Sequence, residues 1–146
     1  MQATEKGISC LNSLLRGELS ATETYQQALA KVGTDPKAAE LRRLHEEHRE
    51  AANTLRQHIH QCGGKPDHGS GAWGAFAKAV EGGAKLFGKT AALKALKEGE
   101  EHGIKEYESF LEDDSADQEC KDLVRSRLLP QARSHVPVLD RLIDAQ

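Results

Sequence analysis

Residues 17–25 read GELSATETY and residues 99–107 read GEEHGIKEY. Each stretch opens on a glycine–glutamate step and closes on a tyrosine seven residues after the glutamate, Glu18 to Tyr25 and Glu100 to Tyr107. Seven residues are nearly two helical turns, so glutamate and tyrosine share one helix face, about 10 Å apart along the axis. A second repeat accompanies the first. Leu41, His48 and Leu55 recur as Leu128, His135 and Leu142, with a gap of seven on both sides of each histidine. The chain therefore reads as a duplicated helix pair, in which helix one corresponds to helix three and helix two to helix four.

Apolar residues around these repeats complete four amphipathic stripes. Helix one is expected over Thr4 to Val32, where Ile8, Leu11, Leu15, Glu18, Thr22, Tyr25, Leu29 and Val32 alternate steps of three and four. Gly33 ends it, and Asp35 with Pro36 forms an N-cap and first-turn pair for helix two. That helix runs to Cys62 through Leu41, Leu44, His48, Ala51, Leu55 and Ile59. A short connection makes the first two helices antiparallel neighbours. Helix three is expected over Thr90 to Asp113, with Leu93, Leu96, Glu100, Ile104, Tyr107 and Leu111 on its seam. Ser115 and Gln118 fit a capping box for helix four, whose seam is Val124, Leu128, Gln131, His135, Val138 and Leu142. Pro130 and Pro137 lie inside that pattern, and an interior proline costs about 3 kcal/mol, which predicts a kink or break near His135.

Gly63 and Gly64 stop helix two, and Lys65 to Thr90 form a glycine-rich crossover. It holds a short amphipathic segment with Trp73, Phe76, Ala77 and Val80 on one side. A helix of about 26 residues is about 39 Å long, and the crossover can travel that far, leaving helices two and three parallel. The competing arrangement uses Trp73 and Phe76 as a plug at one end of an up-down-up-down bundle. The expected fold is an all-α, antiparallel four-helix bundle with a short extra helix between helices two and three, in one domain over residues 1–146. Two copies could pair through the apolar crossover, giving a homodimer.

Composition agrees with this class. Aromatics are 4% of the 146 residues, and strong helix formers dominate. A net charge of -3 with both signs interspersed supplies no basic stripe, so no nucleic-acid partner is expected. The first residues include Glu5, Lys6, Arg16 and Glu18, which break any apolar stretch of a signal peptide or membrane span, so the expectation is a cytoplasmic protein with no membrane partner. Three well-separated cysteines, Cys10, Cys62 and Cys120, fit reduced thiols better than a disulfide framework. No Gly-x-Ser-x-Gly elbow, phosphate-cradling loop or His-Glu-x-x-His pair marks a hydrolase.

Glu18, His48, Glu100 and His135 each interrupt an apolar stripe near the middle of a helix, and mid-helix positions meet at one level in a bundle. Buried carboxylates and imidazoles must be paired, hydrogen-bonded or metal-bound, because an unpartnered group costs several kcal/mol. The metal reading takes Glu18, His48, Glu100 and His135 as direct ligands of a transition-metal ion, whether iron, zinc, manganese or copper. His45, one turn before His48, is a fifth candidate; Tyr25, Tyr107 and Gln131 would supply supporting hydrogen bonds. The alternative is a metal-free network that fixes helix register. Haem between His48 and His135 is a further option. His58 and Cys62 share a face at the end of helix two, whereas His60 does not. Gly99 and Gly103 read as a close approach of two helices beside the polar layer.

The stretches LNSLLRGELSATETYQQAL, LHEEHREAANTLRQHI and GEEHGIKEYESFL resemble an uncharacterised bacterial family of ferritin-like four-helix-bundle proteins, a domain of unknown function. The resemblance spans nearly the whole chain and implies the ferritin-like fold, with no established activity attached. Against the wider di-iron pattern, Glu18, Glu100, His48 and His135 match, but the glutamate three residues before each histidine is replaced by His45 and by Ala132. Glu46 and Glu47 project about 100° or more from the needed direction. The resemblance thus favours one ion in a nitrogen-rich site over a dinuclear centre.

Overall fold

The computed structural model describes residues 5–32, 36, 38–68 and 89–145. These form α1 (Glu5–Val32), α2 (Ala38–Gln61), α3 (Lys89–Glu112), α4 (Gln118–Leu123), a π-helical turn (Val124–Leu128) and α5 (Leu129–Asp144). The last three follow one another without interruption and act as the fourth helix. The apolar Trp73–Val80 segment, Gly33 and Asp35 lie outside the described residues.

Contacts between helices fix their directions. Ile8 of α1 meets Gly64 beyond the end of α2, while Glu18 meets His48 in mid-helix, so α1 and α2 are antiparallel. Tyr25 reaches Glu100 and Tyr107 reaches Glu18, so α1 and α3 are antiparallel as well. It follows that α2 and α3 run parallel, the arrangement a full-length crossover requires. Its first residues already take that course. Asn12 of α1 donates to the Lys65 carbonyl at 3.0 Å and accepts from the Asp67 backbone N–H at 2.8 Å, and Arg16 pairs with Asp67 one turn further along. Between α3 and α5, ion pairs join Lys97 to Asp140 and Glu108 to Arg133, again antiparallel.

The helix ends explain this geometry. Gly63 adopts φ 83°, Gly64 N–H bonds to Ile59 O and Gly63 N–H to His60 O, a Schellman stop that only glycine adopts without strain. At the start of the fourth helix the cap is Asp117, which accepts the Cys120 N–H at 2.7 Å; the expected Ser115 cap instead bonds through its own N–H and hydroxyl to Asp113. Asp117 takes the role because it stands directly before the helical turn.

The expected break near His135 is not there. Helix α5 runs unbroken from Leu129 to Asp144 with Pro137 inside it, and the irregularity lies earlier, at Val124–Leu128. Pro130 has no N–H to give the preceding turn. Widening that turn to π geometry, with Leu129 N–H on Val124 O, absorbs the missing bond. Pro137 is exposed, as is Arg133, whose carbonyl loses its helical partner but remains within reach of water.

Among the described residues, the buried apolar side chains form two separate clusters. One gathers around Tyr25, Leu41, Leu44, Leu96 and Leu139; the other gathers around Leu11, Leu15, Leu55, Ile59 and Val124. The polar residues between them make up the layer described next.

Candidate metal centre

Glu18, His48, Glu100 and His135 come together at one level, and none is more than 6% exposed. Each is supplied by a different helix, and each sits where an apolar stripe faces the bundle axis. His48 Nδ1 lies 2.6 Å from Glu18 Oε2, and its Nε2 bonds to Glu100 Oε1. His135 Nδ1 lies 3.0 Å from Glu100 Oε1, and its Nε2 lies 2.8 Å from Glu47 Oε1. The two imidazole centroids are 4.8 Å apart, edge to face. Carboxylates and imidazoles therefore alternate in one chain: Glu18, His48, Glu100, His135, Glu47.

Two tyrosines close the layer from either side. Tyr25 donates to Glu100 Oε1 at 2.8 Å, and Tyr107 donates to Glu18 Oε1 at 2.6 Å. Burial opposes ionisation of Glu100, but the neighbouring His48 and His135 outweigh it and hold the carboxyl at about 2. Burial likewise disfavours charge on His48, yet the Glu100 and Glu18 carboxylates raise its pKa well above the usual imidazole range. Without another cation, His48 is thus an imidazolium donating from both ring nitrogens.

Among the described residues, His48, Glu100 and His135 offer ligand atoms that all lie within 4.8 Å of one another. Glu18 stands on the far side of the His48 ring, against the other nitrogen. A cavity of about 10 Å³, room for about one water, adjoins Glu18, His48, Glu100 and Tyr107 between Gly17 of α1 and Gly103 of α3. A Cβ built on Gly103 would meet nothing within 4 Å, so this glycine marks a gap rather than the close helix approach expected for it. His45 and Gln131 are half-buried and join none of the bonds in the layer.

Glu47 was not foreseen as a member. Its direction, about 100° round the helix from His48, points it away from the bundle axis but toward α5, where it meets the outer nitrogen of His135. Its second oxygen accepts from Arg43 at 3.0 Å, which carries the chain of bonds to the surface. The one sequence signal for it is adjacency to His48 on the side that faces helix four.

The family model for a domain of unknown function (DUF2383) matches residues 6–113. Among solved structures, the bundle is similar to a bacterioferritin from Rhodobacter capsulatus described as having a metal-free dinuclear site and haem iron. The TM-score is 0.78 at 21% identity, over 99% of this chain and 88% of that chain. No curated protein matches the chain. The structural likeness shows a ferritin-like four-helix bundle, as the resemblance implied. No helix among the described residues is long and apolar enough to cross a membrane. The chain belongs to the uncharacterised ferritin-like family of the domain of unknown function DUF2383.

Proposed function

We propose that this bundle is a metal-binding protein whose central layer holds one transition-metal ion through His48, Glu100 and His135. One observation carries the reading: each imidazole turns one nitrogen to Glu100 and gives the other to an outer carboxylate, Glu18 for His48 and Glu47 for His135. Outer carboxylates of this kind fix the tautomer and orientation of metal-bound histidines and raise their basicity. Glu18 accordingly serves as an orienting partner, and Tyr25 and Tyr107 hold the carboxylates in place; His45 and Gln131 lie outside the donor set.

Two imidazoles with one carboxylate suit iron(II) and zinc, and also manganese or copper. Similarity to a bacterioferritin with haem iron and a dinuclear site puts iron first. The donor set fits one ion and not two. A dinuclear centre needs a glutamate three residues before each histidine, where this chain has half-buried His45 and Ala132, part of an apolar cluster. Haem does not fit either, since Glu100 joins two imidazoles whose centroids are 4.8 Å apart. When bound, the ion supplies Lewis acidity and, for iron or copper, a one-electron couple; the role this supports is storing, sensing or buffering metal.

Elemental analysis of protein purified without a metal-affinity column tests the reading. Compared with the parent protein, His135→Ala and Glu100→Gln should each lose one equivalent of metal, and undiminished metal in both variants would sink the assignment. A metal-free network that sets helix register is the second reading, favoured by the mutual bonding of the layer's own side chains. It expects chelation to leave the melting temperature unchanged. The metal reading expects a fall, because an ion at a hundred times its Kd stabilises the native state by about 2.7 kcal/mol.

A further inference from the structure

We propose that His58, Cys62 and Asp117 form a second cation site, suited to zinc, where the end of α2 meets the start of α4. It is separate from the central layer: His58 follows His48 by ten residues, about 15 Å along the helix.

His58 and Cys62 are four residues apart and share a face of α2. Opposite them stands Asp117, whose two oxygens have different surroundings. Oδ1 accepts the Cys120 N–H at 2.7 Å and so is committed to capping α4. Oδ2 is left facing α2, 3.7 Å from His58 Nε2 and 3.8 Å from Cys62 Sγ. His58 is only 8% exposed, and its buried Nε2 has no hydrogen-bond partner among the described residues. A buried, unpaired ring nitrogen is costly, and few native groups are left so.

The spacing accounts for that nitrogen. The 3.7 Å from His58 Nε2 to Asp117 Oδ2 is too long for a good hydrogen bond, and the same oxygen accepts only a weak bond from the Cys62 thiol at 3.8 Å. Zinc bonds of about 2.0 Å to nitrogen and oxygen and about 2.3 Å to sulfur give tetrahedral edges of roughly 3.3 to 3.6 Å, so small side-chain shifts close the site. All three ligand atoms lie within 4.8 Å of one another. Nitrogen, thiolate and carboxylate together make a borderline donor set that zinc accepts, with a fourth position left for water. An ion there would tie the second helix to the fourth at the end of the bundle remote from the crossover's arrival at α3.

Cobalt(II) titration of the reduced full-length protein tests this, because only a sulfur ligand gives a thiolate-to-cobalt charge-transfer band in the near ultraviolet, and the central layer has no sulfur. At saturation the band should correspond to one thiolate-bound cobalt per chain, and zinc should bleach it. Cys62→Ser should abolish it, and His58→Gln and Asp117→Asn, the latter keeping a capping oxygen, should weaken cobalt binding at least tenfold. His135→Gln should leave the band intact. No band in the parent protein, a full band in Cys62→Ser, or loss of the band in a His135→Gln variant that retains its helicity would each overturn the proposal.

Discussion

Tyr107 of α3 donates its hydroxyl to Glu18 of α1 at 2.6 Å, and its counterpart in the repeat, Tyr25 of α1, donates to Glu100 of α3 at 2.8 Å. The exchange follows from the duplicated spacing. In each helix the tyrosine stands two turns beyond the glutamate, and antiparallel packing brings it level with the glutamate of the other helix. Burial, followed by the adjacent carboxylates, pushes both hydroxyls well above the usual phenol range, so both remain donors at any working pH.

Removing one of these donors leaves a buried carboxylate short of a partner. Tyr107→Phe and Tyr25→Phe should each destabilise the metal-free protein by about 1 to 3 kcal/mol. Urea denaturation should show a lower midpoint at unchanged slope. A variant as stable as the parent protein would mean that the hydroxyl contributes nothing to the layer.

The charges of the layer set a pH window for the metal-free protein. His48 is raised in the folded state above its ordinary value of 6.5, so its contribution is complete below about 6.5 and is lost as pH rises through the folded value. Glu100 is lowered from 4.5 to about 2, so its contribution is complete above about 4.5 and is lost as pH falls toward 2. Chelated protein should therefore be most stable between about pH 4.5 and 6.5, as read from melting temperatures across the range. Metal binding should show the opposite trend above neutrality, tightening as pH rises, because the ion and the imidazole proton compete for the same nitrogen.

The four central residues were legible in the sequence because a polar side chain at the centre of an apolar heptad has nowhere to go but the core. Glu47 was not, because its role depends on which side of α2 the fourth helix packs, and helical periodicity of α2 alone carries no such information. The parallel course of α2 and α3 was similarly open: crossover length permits it, while the paired tyrosine–glutamate bonds require it. Pro130 and Pro137 both signal a disturbed fourth helix, and since both are exposed, neither periodicity nor burial says which turn gives way. The exposed Pro137 is carried within regular helix, and the turn before Pro130 takes up the π geometry.

Gly103 and Gly64 should respond oppositely to the same substitution. A Cβ on Gly103 meets nothing within 4 Å, so Gly103→Ala should raise stability by about 0.5 to 1 kcal/mol through helix propensity alone. A Cβ on Gly64 would lie 2.7 Å from Ile8 Cγ2 and 3.1 Å from Ile59 Cγ2, so Gly64→Ala should destabilise by forcing α1 and α2 apart. Thermal denaturation of the two variants separates the cases; stabilisation by Gly64→Ala would contradict the packing described here.

Glu46 and Glu47 provide the sharpest comparison for the metal reading, since they are neighbours of equal charge with different partners. Glu47 meets His135 Nε2 at 2.8 Å, whereas Glu46 pairs at 3.5 Å with the exposed Arg49. If the ion were held only by a general excess of negative charge, Glu46→Gln and Glu47→Gln would weaken it alike. If Glu47 orients a ligand imidazole, Glu47→Gln should cost ten- to a hundredfold in affinity while Glu46→Gln costs almost nothing. Competition titrations against a chromogenic chelator measure both constants. Equal values would remove Glu47 from the site and leave His135 without the outer carboxylate on which the two-histidine assignment relies.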